Sequence, residues 1–114
     1  MLALKKIMLV GLAAASFGAV ATAASAETPW QRHHPRRVEV NHRLANQNAR
    51  IAAGRREGEL TARQAHMLRA EDRSIRREER IDARFDHGHI TKAEQRTLNH
   101  QENEVSRQIH QERN

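Results

Sequence analysis

Apolar residues follow two different patterns along this chain. From residue 7 to about residue 21 they run almost without interruption, built from Ile, Met, Leu, Val, Phe, Ala and Gly. From Val38 onward they are sparse and return at helical spacing, with seven-residue steps at Leu44/Ile51, Leu68/Ile75 and Leu98/Val105. Together with Ala62, Ala65, Phe85 and Ile109 these positions make a narrow stripe, closer to a coiled-coil seam than to a wide globular face. Charged residues at helical spacing on the middle segment, such as Arg69, Asp72, Arg76 and Glu79, are expected to support a helix by i,i+3 and i,i+4 pairing.

The pattern repeats with a period of 30 residues. Arg50-Ile51 aligns with Arg80-Ile81, Gly58 with Gly88, Leu60-Thr61 with Ile90-Thr91, Leu68 with Leu98, and Ile75 with Val105. A period of this size marks a repeated supersecondary unit. Its punctuation has a physical cause. Gly58 and Gly88 stand where a helix must stop on positive φ, which costs glycine least. Thr61 and Thr91 follow three residues later, each with a long polar residue at +3, Gln64 and Glu94. That is the capping box, in which hydroxyl and long side chain satisfy each other's backbone amides. The sequence therefore predicts an all-α fold: a three-helix antiparallel hairpin array of two helix–turn–helix repeats, with helices over 38–56, 61–86 and 91–111. Leu60 and Ile90, just ahead of the capping threonines, are placed to meet if the two turns approach each other.

The amino-terminal run changes the picture of where the chain works. Lys5 and Lys6 precede it, and Ala24-Ser25-Ala26 follows it with small residues at the positions a signal peptidase reads. This layout predicts a cleavable secretory signal over residues 1–26 and a periplasmic or secreted product with no stable membrane anchor. Residues 27–37 contain Pro29 and Pro35 and no apolar period, which predicts an extended, mobile tail before a helical domain at 38–114. Trp30 in that tail is either docked or exposed.

The chain has no Cys, which excludes disulfides, thiol chemistry and Cys-based metal sites. Its 114 residues carry a net charge of +6, and eight His add charge on acidification. The apolar residues are too few for an interior substrate pocket, and a homodimer would relieve so thin a core. There is no nucleophile elbow, HExxH or phosphate loop, so no enzyme activity and no cofactor are expected. Interleaved carboxylates and scarce aromatics argue against nucleic acid. Calcium loops are excluded at the turns: the first, third and fifth ligand places hold Ala53, Arg55 and Glu57, then Ala83, Phe85 and His87. Asp86, His87 and His89 form a compact group at the second turn, and imidazoles with a carboxylate suit zinc, nickel or copper. Metal binding or buffering through them is one functional alternative, and a structural envelope component without ligand is another.

The two turn motifs, Leu60-Thr61-Ala62-Arg63-Gln64 and Ile90-Thr91-Lys92-Ala93-Glu94, resemble the paired Leu-Thr-x-x-Gln motifs of the Spy and CpxP group of small periplasmic proteins. The first matches fully and the second conservatively, at closer spacing than is usual in that group. The chain as a whole also resembles small exported helical proteins of Gram-negative bacteria that have no assigned role. The Spy-like resemblance implies an ATP-independent holdase or envelope-stress modulator, dimeric, that receives unfolded or envelope proteins on a cationic face. Carried onto this sequence, it implies charge steering by Arg63, Arg69, Arg73, Arg76, Arg77 and Arg80. It implies weak apolar contact by Met67, Leu68, Ile75 and Ile81.

Overall fold

A computed structural model describes residues 26–114. The expected signal therefore lies, apart from Ala26, outside the described residues. Four helices follow in order: α1 (Pro29–His33), α2 (Pro35–Arg56), α3 (Ala62–Arg84) and α4 (Lys92–Arg113). Among the described residues no helix is long and apolar enough to cross a membrane.

The segment expected as an extended tail is helical over much of its length. Both prolines sit at the start of a helix, where the missing N–H has no partner to lose and the fixed φ suits the first turn. Thr28 precedes Pro29 and forms a third capping box. Its amide donates to Gln31 Oε1 at 2.7 Å, and its hydroxyl accepts from the Gln31 amide at 3.1 Å. Pro35 opens α2 three residues ahead of the expected boundary.

His33–Asn114 forms one compact unit, and in it each of α2, α3 and α4 packs against the other two. Side-chain bonds fix the directions. Arg43 reaches Asn103, Gln47 reaches the Glu102 carbonyl, and Arg50 reaches Ser106, so α2 and α4 run parallel. α3 runs against both, giving an up-down-up bundle. Twelve apolar side chains form a single core, among them Val40, Leu44, Ile51, Leu68, Leu98 and Ile109. The buried positions of α4, at 98, 102, 105 and 109, keep the four-three-four spacing of a coiled-coil seam.

The glycine stops behave as the sequence requires. Gly58 adopts φ 76° and Gly88 φ 93°. The Glu59 amide returns to the Gly54 carbonyl at 2.8 Å, and the Gly88 amide to Ala83 at 2.8 Å. Each restart is capped. Thr61 accepts from the Gln64 amide at 3.0 Å while Gln64 accepts from Thr61 at 2.8 Å, and Thr91 and Glu94 repeat the arrangement at the same distances. Thr61→Ala or Thr91→Ala is expected to lower stability by about 0.5–2 kcal/mol, and Thr→Ser at either site by much less. Urea unfolding midpoints check this.

Leu60 and Ile90 do not meet. In an up-down-up bundle the two turns lie at opposite ends, and each residue plugs its own end. Leu60 presses on Gly54, where even an added Cβ would stand 2.7 Å from Leu60 Cδ1. At the other end, the Ile90 carbonyl accepts from Arg36 at 3.3 Å. Arginines tie down both turns. Arg37 donates to the Gly88 carbonyl at 3.0 Å, and Arg113 bonds Glu57 at 2.9 Å and Glu59 at 2.5 Å.

Candidate interaction site

α3 turns Ala65, Leu68, Asp72, Ile75, Glu79 and Ala83 inward. Leu68 and Ile75, expected as apolar contacts for a partner, are therefore core residues; Leu68 is only 1% exposed. Packing against two helices at once buries a stripe that a single hairpin would leave open.

Met67 and Ile81 stay outside, as does Phe85 at the end of α3. Met67 is 54% and Phe85 83% exposed. Arg73, Arg76, Arg77, Arg80 and Arg84 line an open groove of about 410 Å³ with Ile81 among them. Arg63 lies further along the helix, beside Met67 and Glu71, and Arg69 is half-buried.

The charge pattern of this face is unusual for a solvated helix. Arg73, Arg77, Arg80 and Arg84 have no acid three or four residues away in either direction. None of the four makes an ion pair or side-chain hydrogen bond to another described residue. Like charges at that spacing destabilise a helix by about 0.2–0.5 kcal/mol per pair. The bundle tolerates the stripe because tertiary packing holds α3 in place.

The acids expected to interleave with Arg69 and Arg76, Asp72 and Glu79, turn into the core instead. Glu79 is 1% exposed and pairs with Arg37 of α2 at 2.5 Å. Asp72 and Glu102 are also buried, with no hydrogen-bond partner for any of their four carboxylate oxygens. Burial pushes the Asp72 carboxyl up to about 7, with Glu71 adding to the rise and Arg76 opposing it. Burial pushes Glu102 up to about 8; Arg43 opposes, and Glu39, Asp72 and Glu79 add to the rise. A sequence signal for this layer exists. Asp72 and Glu102 occupy the same place in the 30-residue repeat, four after a leucine and three before Ile75 or Val105.

At the second turn, His87 is exposed at φ 52°, and His89 stacks on His34 with ring centroids 4.6 Å apart. Asp86, His87 and His89 do not converge: among the described residues no three His, Asp or Glu side chains are grouped to hold a metal ion.

The fold and this face define a small all-helical bundle with a cationic groove along its middle helix. Comparison of the chain with protein-family models, curated proteins and solved structures returns no match.

Proposed function

We propose that this is a non-catalytic interaction protein of the bacterial envelope, exported to the periplasm or beyond, that acts as an ATP-independent holdase or envelope-stress modulator. The observation that supports this reading is the unneutralised arginine stripe of α3 beside exposed apolar side chains. Arg73, Arg77 and Arg80, helped by Arg63, Arg69 and Arg76, steer an acidic partner at long range. Met67, Ile81 and Phe85 then supply weak, adaptable apolar contact.

The test uses the full chain at near-stoichiometric ratio with an aggregating acidic client, followed by light scattering. Suppression is expected at low salt, weakened by added salt, and lost in Arg77→Glu/Arg80→Glu. No suppression at low salt removes the reading.

A second reading, a structural envelope component without ligand, draws support from the sealed core. Leu68 and Ile75 are already covered, and capping alone accounts for Thr61, Gln64, Thr91 and Glu94. Equal behaviour of wild type and the double charge reversal in every binding assay would favour it.

A further inference from the structure

The interior of the bundle holds a feature that its outer face does not explain. Asp72 and Glu102 are 3% and 0% exposed, and their carboxylate oxygens have no donor within reach. Glu79, one heptad beyond Asp72 on α3, is engaged by Arg37. Gln47 of α2 spends its amide on the Glu102 backbone carbonyl at 2.7 Å, which leaves its own Oε1 unpartnered in the same interior. A lone buried carboxylate in such surroundings is strongly disfavoured, whereas a neutral carboxylic acid costs far less to bury and carries an O–H donor of its own.

We infer that Asp72 and Glu102 form a proton-controlled latch, which closes the bundle over its apolar seam when both carry a proton and loosens it when they ionise. Two acids at equivalent places of the two repeats are brought into one interior by the antiparallel packing of α3 and α4. Charging either brings an unsolvated anion into the core, and charging both adds mutual repulsion. The relief for both is separation of the helices, which admits water to the layer. Separation also uncovers Leu68, Ile75, Leu98 and Val105, which flank the two acids on their own helices. The latch rests on the proposed function only in giving these residues a use: it would regulate how much apolar seam the α3 face can offer a partner.

The groups that face the layer come from all three helices. α2 contributes Glu39 and Arg43, with Arg37 reaching Glu79. α3 contributes Glu71, Arg76 and Glu79 beside Asp72 itself. α4 contributes Glu102 itself, and its Glu112 acts on Glu71. Arg43 and Arg76 favour ionisation, and the acids oppose it. Burial decides the balance, because both side chains remain without hydrogen-bond donors.

The sign follows from proton linkage. Unfolded, the two acids ionise near pH 4; folded, they hold their protons to about pH 7 and 8. Between those limits the folded state binds more protons than the unfolded, so stability falls as pH rises from about 4 to 8 and levels off above. The unfolding equilibrium constant rises by up to about tenfold per pH unit for each group in that window.

The experiment compares the full wild-type chain with Asp72→Asn/Glu102→Gln by urea unfolding at pH 5, 6, 7 and 8, alongside amide hydrogen exchange. The histidines are present in both proteins, so the difference in slope isolates the two carboxyls. The expected result is a midpoint that falls with pH in wild type and is nearly flat in the variant, with exchange in α3 and α4 speeding up as pH rises beyond the intrinsic chemical rate. A wild-type midpoint that is flat or rises over this range overturns the proposal, as does a slope that survives in the variant. Should the double variant not fold, the wild-type titration and exchange data decide alone. Client suppression is scored separately: its absence at every pH, with the midpoint still falling, removes the proposed function and leaves the latch standing.

Discussion

Arg37→Met is expected to destabilise the bundle by about 3–5 kcal/mol, while Arg37→Met/Glu79→Leu recovers most of the loss. The reason is the asymmetry of a buried ion pair. Glu79 is almost wholly excluded from water and accepts from Arg37 Nε at 2.5 Å. Removing the guanidinium strands a carboxylate in the core, and the cost is that of an uncompensated buried charge. Removing both partners and filling the space with carbon leaves nothing unsatisfied, which is often neutral or better. Arg37 also donates to the Gly88 carbonyl, so the single variant loosens the second turn as well. Thermal melts read the difference at roughly 4–8 °C per kcal/mol for a domain of this size. If the single variant melts within about 2 °C of wild type, Glu79 is solvated or otherwise paired and the tertiary clamp assigned to Arg37 does not exist.

Leu68→Ala is expected to cost about 2–5 kcal/mol, while Met67→Ala next to it changes stability by no more than about 0.5 kcal/mol. Leu68 is fully enclosed by α2 and α4, and its truncation leaves a cavity that a three-helix core cannot close without moving a helix. Met67 faces outward, so truncating it removes little buried area. The pair separates two roles that the stripe pattern alone assigns to both residues. Client suppression should respond in the opposite order once stability is allowed for: Met67→Ala weakens it without touching the melt, and Leu68→Ala acts through the melt. A stable Leu68→Ala protein with full loss of client binding would mean that the seam is open in solution.

Much of the architecture is legible from local chemistry. A glycine needing positive φ and a threonine three residues on with a long polar partner are short-range signals, and they mark both turns and restarts correctly. The same logic was available at Thr28-Pro29-Trp30-Gln31, where the prolines suggested a tail because proline is read as a breaker before it is read as a first helical residue. The expected helix over 61–86 ends at Arg84, and the one over 91–111 runs on to Arg113. Helix ends are settled by carbonyl capping and end packing, which a period cannot resolve.

The face assignments needed the third helix. Heptad spacing identifies Leu68, Ile75, Asp72 and Glu79 as one side of α3, but it does not say whether that side is covered. An acid on a stripe reads as a surface ion-pair partner until two neighbouring helices enclose it. The arginine stripe, with no acid three or four residues from Arg73, Arg77, Arg80 or Arg84, was visible residue by residue, yet only the packing shows that no other helix brings it a counter-ion among the described residues.

By itself the sequence determined the helical class, the 30-residue repeat, the two capped turns and the positions where helices stop, because these depend on backbone conformations and hydrogen bonds made within a few residues. Tertiary structure alone decided that the turns lie at opposite ends, that Leu68 and Ile75 are core, and that Asp72 and Glu102 share an interior while the arginines keep the outside. Those outcomes depend on which helix covers which face, a contest of burial and desolvation between segments far apart in the chain.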